Sequence, residues 1–531
     1  MKTEKKGINR NIVLIGLIIG MFFSALEQTI VGTAMPTIIE DLNGLTLFAW
    51  VTTAYMLTST TVVPIVGKLA DMFGSRGMYL LGMVIFVGAS FLCATATTME
   101  QLVSYRAVQG IGGGMIMPLS QTIVGLIFSA EQRAKWQGVF GGIFGLSSVI
   151  GPFIGGFLVD AIDWKWIFLV NIPFGLLSAV LIFMGLKNEK IALEVKPKID
   201  YLGIITLIPA VVSLLLGLTF AGDKFEWLSS TSLLVFGGSL IFFLIFIMVE
   251  RQAAEPILDL SLFKNRVFAT TNMLGFLLGL GMFGAIMFIP MFMQGVMGVS
   301  PTKAGSAMTP MMIALIISSI LGGQLLLRMR YRYVLAAGML ISTVGFMLMS
   351  TMGIHTTTWT IYSYMVILGV GMGLVMPSLT IIVQSEYPKN MLGTVTSSST
   401  FFRSIGGTIG ATVLSTVMNQ TLPAKMTDMM KTEEVTSNPV VSKTLETIGS
   451  DYDKMFGVLI KPDALQMPAD LTNLVLNPIK IAWSQSLSVV FLTGLVFIAL
   501  GIVIAFTVGN GKIKRDREMS GEAVQTEQSS V

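Results

Sequence analysis

The residues able to do chemistry are few, and one of them stands where charge is costly. The stretch Leu14–Ile38, LIGLIIGMFFSALEQTIVGTAMPTI, is apolar for long enough to cross a bilayer, yet it carries one acid, Glu27, near its middle. A bilayer's hydrocarbon core takes about 20 residues of apolar helix. A charge at its centre costs about 2.5–3.5 kcal/mol on insertion scales, so such a residue normally faces a protein interior or a wet cavity and serves a function. Two readings stand for Glu27: a structural carboxyl hydrogen-bonded between helices, or a group that takes up and releases a proton as the protein alternates between the two membrane faces. The motifs around it favour the second. Arg106 lies inside another apolar segment and needs a partner there. Glu27 is the only carboxylate well inside a span of the first half, so a direct or water-bridged pair is expected, with backbone carbonyls alone as the other reading. Arg403 is a second intramembrane cation; substrate contact and capping of interior carbonyls are equally open for it. In the turn Gly67-Lys-Leu-Ala-Asp-Met-Phe-Gly-Ser-Arg76, Asp71 and Arg76 offer a charge pair at a helix end that can lock one conformation, while Gly67 and Gly74 allow the chain to bend and pack closely.

These residues must be positioned by membrane helices. Of 531 residues, 53% are hydrophobic and 12% charged, against about 25% charged in soluble proteins. About fourteen apolar segments reach spanning length, from 12–35 to 484–508, and each should be helical. Lys and Arg collect in alternate connections: Arg10, Lys68, Arg76, Arg133, Lys135, Arg251, Lys264, Arg266, Arg328, Arg330, Arg332 and Lys389 on one side, while the short loops of the other carry only Lys165, Lys224 and Lys303. The positive-inside rule makes the first side cytoplasmic, with both termini there.

An internal repeat divides the chain. Gly110–Pro118 reads GIGGGMIMP and Gly369–Pro377 reads GVGMGLVMP, 259 residues later; Gly151-Pro-Phe-Ile-Gly155 aligns with Gly406-Gly-Thr-Ile-Gly410 at an offset of 255. Two parallel six-helix bundles are expected, 1–190 and 265–510, with an inserted helix pair and linkers in 191–264 and a binding site near the bilayer midplane between the bundles. Residues 419–483 are read as a long extracellular loop, more a solvated loop than a substrate lid, in which Asp451–Leu465 has the pattern of short amphipathic helices; 511–531 is read as a disordered cytoplasmic tail. A single cysteine, Cys93, excludes an internal disulfide. The one histidine and the lack of a His/Cys cluster argue against a metal site, and no P-loop is found. No enzyme site, cofactor or nucleic-acid partner is expected.

At these residues a resemblance is clear. Gly67–Arg76 is similar to the signature loop of the major facilitator superfamily, and Tyr105-Arg-Ala-Val-Gln-Gly-Ile-Gly112 to its fourth-helix RxxQGxG motif. Gly145-x5-Gly151-Pro-x-x-Gly-Gly156 resembles the fifth-helix motif associated with antiporters. Leu26-Glu-Gln-Thr-Ile-Val-x-x-Ala-Met-Pro36, Trp50-x3-Ala-Tyr55 and Trp164-Lys-Trp-Ile-Phe-x-x-Asn-Ile-Pro-Phe-Gly175 resemble the 14-helix drug:proton antiporters of the EmrB/QacA group. Glu27 stands where that first-helix motif usually has Asp, and Gly407 replaces the proline found at Pro152, so the proton path is expected in the first half.

The resemblance implies an all-α polytopic protein of a bacterial cell membrane, acting as a monomer, that exports lipophilic drugs and dyes against protons. The implied roles are proton coupling for Glu27 and Arg106, conformational switching for Gly67, Asp71, Gly74, Arg76, Gly151, Pro152, Gly155 and Gly156, and substrate binding for Glu27, Gln28, Tyr55 and Arg403. The 37 methionines suit a site that accepts many shapes. Neutral, zwitterionic or monovalent compounds are expected, because the spans hold so few acids. Export of a lipid or metabolite, proton symport of a nutrient and a non-transporting scaffold remain as alternatives.

Overall fold

The computed structural model describes residues 9–42, 47–186, 198–222, 224–448, 452–460, 462–465 and 467–512. The far N-terminal lysines, the 187–197 linker and nearly all of the expected disordered tail lie outside them.

Apolar runs of bilayer length satisfy their backbone only within themselves, and the described chain is helical with no strand. The long helices are α1 Arg10–Leu42, α2 Phe48–Phe73, α3 Ser75–Ala94, α4 Met99–Ile127, α5 Ala130–Ala161, α6 Asn171–Gly185, α7 Tyr201–Phe220 and α8 Ser230–Glu250. They continue as α9 Arg266–Gly295, α10 Met308–Leu326, α11 Tyr331–Met349, α12 Thr358–Glu386, α13 Leu392–Met430 and α14 Ala469–Thr507. Polar caps start several of them: Thr98 accepts from Gln101 N before α4, Asn265 from Val267 N before α9, and Thr357 from Thr360 N before α12. Gly74, at φ 92°, turns the chain from α2 into α3 with a single residue, a conformation that favours glycine.

Among the described residues, twelve helices are long and apolar enough to cross a membrane; with the more polar α2 and α13 they make fourteen. Those two face each other at the centre of the molecule. Their hydroxyls bond back to their own helices, Thr58 to Ala54 O at 3.0 Å, Thr61 to Leu57 O at 2.7 Å and Ser398 to Thr394 O at 2.7 Å, which satisfies them away from water. Outward faces carry Phe157, Met184, Leu234 and Val503, as a lipid-facing surface requires.

The repeat is visible as packing. In the first half α4 lies between α2 and α3; in the second, α12 lies between α10 and α11. A Cβ on Gly110 would strike the backbone of Tyr55 and one on Gly112 that of Phe86; at the matching sites Gly369 meets Met311 and Gly371 meets Ser342. The other matched pair behaves alike: Gly151 and Gly155 press on Thr29 and Thr33 of α1, and Gly406 and Gly410 on Phe276 and Leu280 of α9. Small residues thus set close helix approach in both halves. The inserted α7 packs against both α2 and α13: the Trp50 ring lies tilted against Phe220 with centroids 5.1 Å apart, and Thr412 donates to Leu218 O at 3.2 Å. It straps the seam between the halves.

One expectation is corrected. The described residues of 419–483 are not a solvated loop. The helix α13 runs for 39 residues and α14 for 39, each about 58 Å at 1.5 Å per residue, well beyond a hydrocarbon core of about 30 Å. Between them lie short helices, Glu433–Thr436, Pro439–Ile448 and Tyr452–Ile460. Val441, Leu445 and Ile448 recur at helical spacing and are buried with Met455, Leu459, Val475 and Trp483. Hydrophobic burial makes this segment a packed helical cap. The short helix at Tyr452–Ile460 and the 3-10 turn Pro462–Leu465 fall where amphipathic helices are expected.

Candidate functional site

Adjacent positions on a helix point about 100° apart, and α1 uses this to separate two environments. Glu27 turns into the first bundle and is 0% exposed; Gln28 turns to the space between the bundles. On α4, Arg106 and Gln109 are three residues apart and share a face. The Arg106 guanidinium donates through Nη1 to Glu27 Oε1 at 2.5 Å and to Gln109 Oε1 at 2.7 Å, and through Nε to Val51 O at 3.1 Å. Asn171 Nδ2 donates to the other oxygen, Glu27 Oε2. Gln109 Nε2 then donates to Ser90 Oγ at 2.8 Å, and Ser90 to Phe86 O at 2.7 Å. Five helices, α1, α2, α3, α4 and α6, therefore hold one buried ion pair in a connected network. The Glu27–Arg106 pair is direct, and Arg106 is not held by carbonyls alone.

Tyr55 covers this network. Its ring centroid is 4.4 Å from the Arg106 guanidinium carbon, a cation–π contact. Its hydroxyl lies against Gly113, where any side chain would collide with it, and finds no hydrogen-bond partner. Tyr55 also lines a central cavity of about 220 Å³, so it is the wall between the ion pair and that space.

Both bundles line the cavity. Ser24, Gln28, Tyr55, Gln121 and Gln137 face Met282, Ile286, Met372, Thr400 and Arg403. Met21, Met56, Met117, Met312 and Met376 add flexible thioether surface. Arg403 is 9% exposed, and neither hydrogen bond nor ion pair holds its guanidinium. Of its two readings, capping of carbonyls is not observed.

The bundles meet below the cavity, at the end where the basic connections lie. Asp71, at the end of α2, accepts from the backbone N–H groups of Gly393 and Thr394, both at 2.7 Å. These are free donors at the start of α13, the positive end of its dipole. A Cβ on Gly67 would strike Gly393 and Ser397, so glycine is needed for this approach. Gln384 Nε2 reaches Gln121 O at 3.2 Å, and Lys68 pairs at 2.5 Å with Glu255 of the linker between α8 and α9. The expected Asp71–Arg76 pairing is corrected here: Asp71 grips the other bundle, while Arg76 donates to Phe183 O at 2.7 Å and lies 4.5 Å over the Phe183 ring. A helix N-terminus offers two aimed donors, which a flexible guanidinium five residues along does not replace.

The glycines of α5 divide between two partners. Gly138, Gly141, Gly142 and Gly145 pack on Ser319, Leu315, Ile316 and Met312 of α10 in the opposite bundle, while Gly151 and Gly155 pack on α1. Gly156 has no neighbour within 4 Å of a built Cβ, and Pro152 faces outward in a helix that continues to Ala161. These two are not brought to an inter-helix contact. Gln109, Asn171 and Ser90 are the network members that the sequence reading did not assign. Gln109 and Asn171 stood inside motifs already singled out, as polar groups in apolar runs.

Comparison with known proteins agrees with this architecture. The chain matches the family described as Major Facilitator Superfamily over residues 17–411. It is 45% identical to the multidrug transporter protein MdtP of Bacillus subtilis (strain 168), covering 99% of both chains. It is 36% identical to multidrug resistance protein 3 of the same organism, over 98% of this chain and 99% of that one. Among solved structures, the human organic anion transporter MFSD10 (TETRAN) superposes with a TM-score of 0.58 at 14% identity, over 92% of this chain and 99% of that one, a likeness of fold.

Proposed function

The chain belongs to the major facilitator superfamily, and from that premise we propose that it is a proton-coupled antiporter exporting lipophilic drugs and dyes by alternating access. The relatives named for multidrug transport and resistance support the substrate class. The observation that carries the coupling is the Glu27–Arg106 pair, sealed behind Tyr55 beside the cavity.

A buried ion pair is stable only while both partners keep their charge and hydrogen bonds. Protonating Glu27 removes the charge that Arg106 answers. Arg106 then keeps Val51 O, Gln109 and the Tyr55 ring, and the tie between α1 and α4 slackens. A change at this pair therefore acts on Tyr55, the cavity wall, and on the packing of the whole first bundle. Closure at the basic end by Asp71, Gln384 and Lys68 fits a state in which the cavity is sealed from that side. Opening there requires Asp71 to leave the α13 N-terminus. One proton crossing 100 mV yields about 2.3 kcal/mol, and a pH unit about 1.4 kcal/mol more; one or two protons suffice for a ten- to thousand-fold gradient without nucleotide.

The test is proton movement itself. The full chain in proteoliposomes with a trapped pH dye should release protons when a transported dye is added against an imposed gradient. Dye flux that moves no protons refutes the coupling.

A further inference from the structure

The cavity between the bundles has a sign. Among the described residues lining it there is no Asp or Glu, and one cation, Arg403. Glu27 and Arg106 neutralise one another behind Tyr55, so they add no net charge to that space. Arg403 is nine-tenths buried, projects from α13 into the lining, and has neither a hydrogen bond nor an ion pair.

A guanidinium taken out of water without a partner is strongly disfavoured, and in a low-dielectric cavity its field is strong. Its five donors in a planar fork match a carboxylate bidentately. Thr400 and Ser404, one turn before and one residue after Arg403, add hydroxyls beside it. Across the space, Gln137 Nε2 has no partner. Most of the remaining wall is apolar, and its other polar groups, among them Gln28, Ser59, Thr60, Gln121 and Thr408, are uncharged.

We propose that the cavity selects lipophilic monoanions, compounds with an apolar body and one carboxylate or similar acidic group, and that Arg403 takes that group. This rests on the export reading and names its substrate class. A monocation would place a second positive charge against Arg403 with no acid in the lining to offset it, and a dication would fare worse. A neutral compound fills the apolar space and leaves the guanidinium unanswered.

The experiment uses the full-length protein in neutral detergent and three fluorescent probes on one scaffold: a dansylated long-chain carboxylic acid, its methyl ester and its trimethylammonium counterpart. Wild type should bind the acid about tenfold or more tighter than either of the others, as a charge-assisted bidentate contact implies. Arg403→Gln should lower acid affinity about tenfold and leave ester affinity within about twofold. Arg403→Lys should restore part of the preference, since the charge returns without the fork. Thr400→Asp, which supplies an internal partner one turn away, should abolish the preference as well, and it carries the test if Arg403→Gln is not recovered folded.

Equal or tighter binding of the ester or the ammonium by wild type overturns the proposal, as does a uniform loss of all three probes in both variants. An anionic phospholipid, phosphatidylglycerol, added as competitor separates the sources of the anion: displacement of the acid at comparable affinity means that lipid is the ligand, and no displacement means a free amphiphile. Failure of export shows differently. Preferred acid binding without efflux of any probe from energised vesicles sinks the export reading alone, and efflux of the ester and ammonium without acid preference sinks the anion selectivity alone.

Discussion

The two bundles share a frame and differ in chemistry. At the α4–α12 correspondence, Tyr105-Arg106 and Gln109-Gly110 of the first half match Tyr364-Met365 and Leu368-Gly369 of the second. All four central side chains, Arg106, Gln109, Met365 and Leu368, are buried. Where the first bundle keeps an ion pair and a chain of hydrogen bonds, the second keeps packed methionine and leucine. The glycine contacts around them are alike in both. Packing of the bundle therefore needs no charge at this position, since one half does without it. Charge kept at that cost in the other half points to a role other than stability.

The contrast sets a scale of outcomes. The largest belongs to the charged half. Replacing Arg106 by the second-half residue, Arg106→Met, leaves Glu27 buried without its cation and should cost about 3–5 kcal/mol. The double variant Glu27→Gln/Arg106→Met should recover much of that. Thermal unfolding in detergent reads both, and equal loss in single and double variants breaks the argument. Next come the matched glycines. Gly110→Ala and Gly369→Ala should each cost about 1–3 kcal/mol by overpacking, and by similar amounts, because each meets backbone of the neighbouring helix. A loss at only one would show that the halves are not packed alike.

Smaller still is the contact between bundles. Asp71→Asn keeps the shape but gives up a charge at a helix N-terminus, about 1–2 kcal/mol, so closure at the basic end weakens about tenfold. Cysteine labelling in the lower cavity, at Gln121→Cys in a Cys93→Ser background, should speed up accordingly; an unchanged rate removes Asp71 from the closure. Smallest is Gly156→Ala, expected within about 0.5 kcal/mol, since no atom stands near a Cβ there.

The long helices were legible because lipid leaves an apolar run one solution. Glu27 and Arg106 were legible together because each is costly alone in that medium, and pairing offsets the cost. The grip of Asp71 on α13 was not, since its partners are backbone N–H groups 322 and 323 positions away, and backbone donors leave no mark in side-chain type. Gln109 and Asn171 were half legible: their place in the motifs was noticed, but hydrogen bonds to Arg106 and Glu27 depend on helix facing across α1, α4 and α6. The cap at 419–483 was misread because its mixed-polar composition hid the spacing of Val441, Leu445 and Ile448, which a helical reading of that stretch alone would have exposed.

The most direct test separates moving substrate from moving protons. Glu27→Gln keeps the shape and a hydrogen-bonding side chain but cannot exchange a proton at neutral pH. In proteoliposomes, that variant should still exchange labelled for unlabelled dye across the membrane at equal pH, while accumulation driven by a pH gradient falls to the level of empty vesicles. Accumulation by the variant at the wild-type rate would contradict the account.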